Sequence, residues 1–124
     1  VAIGGDYHGT TLNGMGPALS DIAKVMPKLA AFLGTTAGIQ QLQGSDFIEK
    51  MNKLPDTAPG VKYTSIYSPA DTTVTPNETS KLTAVPGADV ENVSLGDVCE
   101  APAAHPDLPH DSCALDQVMW GLTR

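Results

Sequence analysis

The chain has 124 residues, with 12 glycines, 10 prolines and an aromatic content of only 5%. This length fits one small domain, and the composition is that of a folded chain rich in turns, with few large side chains for its core. Acidic residues outnumber basic ones by 14 to 7, which gives a net charge of -7. An acidic chain without a basic cluster argues against nucleic acids and anionic membranes as main partners. No run of about 18 apolar residues is present, so no membrane span is predicted.

The first predicted element is a short apolar strand, Val1 to Ile3, which Gly4 and Gly5 close. Because this strand begins at the first residue, we expect the chain to be a piece of a longer protein. Apolar residues then recur with helical spacing from Ile22 to Leu33, and Pro27 is expected to kink or restart that helix.

A second helix is predicted after residue 44, with Ser45 or Asp46 as its N-cap and Asp46 and Glu49 forming a capping box. The apolar side chains expected on one face of this helix are Phe47, Met51 and Leu54.

Two further strands and a terminal helix complete the predicted fold. The segment from Val61 to Ser68 is rich in β-branched and aromatic residues, and the segment from Val90 to Leu95 alternates in polarity. An apolar stripe from Leu115 to Leu122 predicts a final helix, which Asp111 or Ser112 caps. This order of elements predicts an α/β fold with about three mostly parallel strands and flanking helices.

Chemistry-bearing side chains follow the second and third strands. Asp71 lies after the second strand, and His105 and His110 lie between the third strand and the last helix. An acid followed by a histidine is the order found in α/β-hydrolase triads, where the acid orients the imidazole. The alternatives are that Asp71 forms an Asx-turn, that Asp6 is the acid, and that either histidine is an ordinary loop residue.

Cys99 and Cys113 lie on either side of both candidate histidines. Two cysteines without a C-x-x-C spacing do not make a zinc site. A disulfide between them would close a loop of about 15 residues and point to a secreted protein, while the alternative is two buried free thiols.

Five segments resemble successive blocks of secreted bacterial lipases of the α/β-hydrolase fold, often called class 2 lipases. The segments are IGGDYHGTT from Ile3, GSDFIEKMN from Gly44, VKYTSIYSPADTTVTP from Val61, VENVSLGDVCE from Val90 and HPDLPHDSCAL from His105. The resemblance implies that Asp71 is the triad acid and that His105, rather than His110, is the base. We expect His8 and Val74 to line the site, and no metal or organic cofactor to be required. For His8 the alternative is a structural hydrogen bond to the neighbouring loop.

The serine of such a triad is missing, because no G-x-S-x-G motif occurs in the 124 residues. In the lipases this motif precedes all five blocks. The resemblance therefore implies that residues 1–124 are the C-terminal half of an α/β-hydrolase domain, inactive alone, and that the nucleophile-bearing half is an upstream segment or a separate chain. The implied function is hydrolysis of apolar esters or acylglycerols outside the cell. The alternatives are a truncated, non-catalytic extracellular binding or structural domain and a related acyl-ester enzyme.

Overall fold

A computed structural model describes residues 1–25 and 35–124. The elements are β1 (Ala2–Ile3), α1 (Gly16–Val25), α2 (Thr36–Gln40), α3 (Asp46–Met51), β2 (Lys62–Tyr67), β3 (Asp89–Ser94), α4 (Leu95–Val98) and α5 (Ser112–Thr123), with 3-10 helices at Asn77–Ser80 and His105–His110. The predicted helix from Ile22 to Leu33 is therefore seen only in its first turn, since residues 26–34, with Pro27, lie outside the described residues.

The three strands form one parallel sheet in the order β1-β2-β3. Ala2 of β1 lies opposite Ser65 of β2, and Lys62 at the start of β2 lies opposite Asp89 of β3. The central strand buries Thr64, Ser65 and Ile66, as expected for a strand with neighbours on both sides. The sequence prediction of an α/β fold with about three parallel strands and flanking helices is confirmed.

The buried core lies between β2 and the helices that follow β3. Its fully buried members are Ile66, Leu95, Leu108 and Ala114. Each buried leucine or isoleucine contributes about 2 kcal/mol through the apolar area removed from water. Leu108 belongs to the same 3-10 helix as His105, so its burial fixes that helix against the sheet.

Helix α3 has one of its two predicted N-cap residues, but its buried face differs from the prediction. The Oγ atom of Ser45 accepts a hydrogen bond from the backbone amide of Ile48 at 3.1 Å, so Ser45 is confirmed as the N-cap and the predicted capping box of Asp46 and Glu49 is wrong. Ile48 is the residue that this short helix buries. The three apolar side chains predicted for its face, Phe47, Met51 and Leu54, are 47%, 44% and 58% exposed.

In residues 1–25 and 35–124, no helix has the length and apolar character needed to cross a membrane.

Candidate functional site

The segments that follow the three strands meet at the carboxyl edge of the sheet. Parallel strands all end at this edge, which is where open α/β sheets gather their functional groups. Gly4 follows β1, Asp71 lies in the loop after β2, and His105 begins the 3-10 helix that follows β3 and α4. The site is built from these three positions.

Asp71 is almost fully buried, with 4% of its surface exposed. Its Oδ1 atom accepts hydrogen bonds from the backbone amides of Thr73 at 2.7 Å and Val74 at 2.9 Å. This is the Asx-turn that the sequence offered as an alternative to a catalytic role. The two interpretations do not exclude each other, because the turn uses one carboxylate oxygen and leaves the other free.

The second oxygen of Asp71 faces His105. Its Oδ2 atom lies 2.6 Å from Nδ1 of His105, a short hydrogen bond between a buried acid and a partly exposed imidazole. A carboxylate only accepts hydrogen bonds, so Nδ1 carries a proton and donates a hydrogen bond to Oδ2. In a neutral ring the lone pair is then on Nε2, which has no hydrogen-bond partner in the described part of the chain.

Gly4 lies close to the imidazole of His105. A Cβ atom at this position would lie 3.3 Å from both Nδ1 and Cε1 of His105 and 3.0 Å from Cδ1 of Leu108. The backbone of Gly4 also has a φ of 57°, in the left-handed region that favours glycine. Space and backbone conformation therefore both favour glycine here, because a Cβ atom would press on the ring of His105 and on Leu108.

Thr10 ties the loop after β1 to the loop that carries Asp71. Its buried Oγ1 atom donates a hydrogen bond to the carbonyl of Thr73 at 2.5 Å and accepts one from the amide of Thr75 at 3.0 Å. The same oxygen accepts from the amide of Leu12 at 2.9 Å. Sequence reasoning did not single out Thr10 or Gly4, because a threonine and a glycine in a polar loop carry no signal of which distant segment they contact.

A pocket with a volume of about 340 Å³ opens beside His105. Its walls are mainly apolar, and the apolar side chains that line it are Leu12, Leu19, Ile39, Leu42 and Val74. Val74 thus lies where the sequence prediction expected a site-lining residue. Thr10, Thr73, Gln41 and Asp6 add polar groups to the wall. The arrangement places a free imidazole nitrogen beside a space suited to an apolar group.

Asp6 shares this pocket with His105. Partial burial raises the pKa of Asp6, and a hydrogen bond from its own backbone amide and the charge of His105 oppose that rise. Asp71, and not this rival acid, makes the hydrogen bond to Nδ1 of His105.

His8 is not among the described residues that line the pocket beside His105. Its Nδ1 atom lies 2.9 Å from Oδ1 of Asn52, and its Nε2 atom lies 3.1 Å from the carbonyl of Lys81 and 3.3 Å from Oδ2 of Asp56. The ring thus connects three separate segments of the chain. These contacts fit a structural role for His8, and its expected role as a site-lining residue stays a prediction.

The predicted disulfide between Cys99 and Cys113 is confirmed, with the two Cα atoms 6.1 Å apart. It joins the residue after α4 to the first turn of α5, so it closes the segment that contains His105. His110 lies within the same closed segment but is exposed at the end of the 3-10 helix.

No protein-family model matches this sequence, and no curated protein matches it. Residues 1–25 and 35–124 contain no group of three or more His, Cys, Asp or Glu side chains arranged to hold a metal ion. The site is therefore interpreted from its own geometry.

Proposed function

We propose that this chain supplies the acid and the base of a Ser-His-Asp triad in a carboxylic-ester hydrolase, a lipase or esterase of the α/β-hydrolase fold. The observation that carries the proposal is the 2.6 Å hydrogen bond between Oδ2 of buried Asp71 and Nδ1 of His105. Triads require this pairing because the acid fixes the tautomer that leaves Nε2 free to accept a proton.

The nucleophile in this proposal is a serine on a segment that precedes Val1. Two observations support this: the 124 residues contain no G-x-S-x-G motif, and the neighbouring Ser68 and Ser65 donate their hydroxyl protons to the carbonyls of Ala103 and Ser80. Neither serine is positioned to react with a bound ester. Residues 1–124 are then the C-terminal half of the catalytic domain.

The proposed reaction moves one proton through Nε2 of His105. The serine oxygen bonds to the ester carbonyl carbon as its hydroxyl proton passes to Nε2, and Asp71 stabilises the imidazolium. The carbon–oxygen bond to the alcohol breaks, and the alkoxide takes the proton from Nε2. A water molecule then bonds to the acyl carbon and gives a proton to Nε2 of His105. The bond between the acyl carbon and the serine oxygen breaks, the carboxylic acid leaves, and the serine oxygen takes the proton back from Nε2.

The surroundings of the pair support an apolar ester or acylglycerol as substrate. The walls contributed by Leu12, Leu42 and Val74 favour hydrocarbon over charged groups. The Cys99–Cys113 disulfide favours an oxidising compartment, which supports secretion to the cell exterior.

The test is an ester-hydrolysis assay on the whole gene product, including the segment before Val1, with p-nitrophenyl butyrate as substrate. We expect hydrolysis that His105→Ala abolishes. The matched control is His110→Ala, which removes an exposed histidine of the same 3-10 helix and is expected to retain activity. Absence of hydrolysis in the whole protein would favour the alternative, a non-catalytic extracellular domain derived from a hydrolase.

A further inference from the structure

The pocket beside His105 contains a carboxylate that the proposed triad does not use. Asp6 lies in the turn after β1, where its backbone carbonyl accepts a hydrogen bond from the amide of Gly9 at 2.9 Å. Its side chain lines the same pocket as the imidazole and is partly buried. A carboxylate beside apolar walls is unexpected in a pocket that only has to hold hydrocarbon.

Among the described residues that line the pocket, Asp6 is the acidic one, and it lies beside His105. Asp71 is not part of this lining and is hydrogen-bonded to His105. No lysine or arginine is among the described residues that line the pocket. Apolar walls reduce screening by water, so a carboxylate acts more strongly on a ligand here than at an open surface.

We propose that Asp6 makes this pocket select amphiphiles by charge, so that an apolar chain with a cationic head group binds best and one with a carboxylate binds worst. For the substrate, this inference rests on the proposed ester hydrolysis: it names esters of positively charged alcohols, such as amino alcohols, as the preferred class. The same negative charge disfavours retention of a carboxylate product.

The test measures binding to the whole gene product, including the segment before Val1, and its readout does not depend on hydrolysis. The probes are hexyltrimethylammonium, 1-hexanol and hexanoate, each titrated while the amide resonances of Thr10, Leu42 and Val74 are followed by NMR. We expect the ammonium probe to bind about tenfold more tightly than hexanoate, with hexanol between them. In Asp6→Asn this preference should largely disappear, and in Asp6→Glu it should persist.

Asp116→Asn is the matched control, because it removes the same charge from an exposed position on α5. It should keep the preference of the unmodified chain. Equal binding of the three probes, stronger binding of hexanoate, no perturbation of the pocket resonances, or a preference that survives Asp6→Asn would each overturn the proposal. Since no outcome depends on hydrolysis, failure here is distinguishable from failure of the proposed triad.

Discussion

His105 and His8 each lie beside an aspartate, but the two regions differ in what they leave free. Nδ1 of His105 lies 2.6 Å from Asp71, whose side chain is 3% exposed, and Nε2 has no partner in the described part of the chain. Nε2 of His8 lies 3.3 Å from Asp56, whose side chain is 14% exposed, and Nδ1 is bound to Asn52.

The difference shows why an acid and a histidine do not by themselves make a site. His105 combines a buried acid on one nitrogen with a pocket beside the ring, which is what proton transfer to a bound ester requires. His8 uses both nitrogens to connect the loop after β1 to Asn52 and Lys81, which is a structural role. Matched substitutions beside His105 and beside His8 therefore test whether the two histidines have different roles.

The largest expected effect comes from removing each aspartate in turn. Asp71→Asn should lower kcat for ester hydrolysis by the whole gene product by about 10⁴-fold, because an asparagine no longer enforces the required tautomer. Asp56→Asn makes the same chemical change beside His8 and should leave kcat within about twofold, since both ring nitrogens of His8 are bound to neighbours outside the proposed triad. Steady-state kinetics on both variants checks the pair, and equal losses would contradict the distinction between the two histidines.

Removal of the disulfide should have the next largest effect, and this effect is on stability. The disulfide closes the segment that contains His105, and His8 lies outside that segment. Replacing both Cys99 and Cys113 by serine should lower the free energy of unfolding by about 3 kcal/mol, as expected for a closed loop of this length. Urea denaturation measures the loss. Amide exchange should increase around His105 while it stays unchanged around His8, and a uniform increase would contradict the local role of the disulfide.

His8 should matter for stability and not for chemistry. His8→Ala removes the hydrogen bonds to Asn52 and Lys81 and should cost about 1 kcal/mol of unfolding free energy. Ester hydrolysis by the folded variant should be retained. A variant of full stability and lost activity would place His8 in the reaction and overturn its structural assignment.

Two aspartates should shift stability in opposite directions with pH. Burial raises the pKa of Asp6 above its ordinary value of 3.8, so the folded state loses stability as the pH rises through and above that value. Asp6→Asn should therefore melt at a higher temperature than the unmodified chain at pH 7, by a margin that shrinks as the pH approaches 3.8.

Ionisation of Asp89 should have the opposite effect on the stability of the folded state. A hydrogen bond from Arg124 lowers the pKa of Asp89 below 3.8, so its ionised form stabilises the folded state above that value and the contribution is lost as the pH falls. Asp89→Asn should lower the melting temperature slightly at pH 7. Thermal melts across the pH range check both variants, and shifts of the same sign would contradict the stated causes.

The sequence was sufficient to predict the three strands and the terminal helix, because β-branched runs and helical periods are local signals. Asp71 and His105 were selected by strand order together with the lipase resemblance, and their catalytic roles stay predictions. It could not predict α2 or α4, which have only five and four residues and show no helical period. It left two roles open for His8, lining the site or making a structural hydrogen bond, because a sequence does not show which way a loop side chain turns. The fold shows that the ring of His8 contacts Asn52 and Lys81.

In the proposed triad, His105 activates a serine supplied by the segment before Val1. Labelling the whole gene product with a fluorophosphonate, which phosphonylates activated serines, tests it most directly when the modified residue is located by mass spectrometry. We predict a single labelled serine outside residues 1–124, with labelling lost in His105→Ala and retained in His8→Ala. Absence of a labelled serine, or labelling that is unchanged in His105→Ala, would contradict the claim.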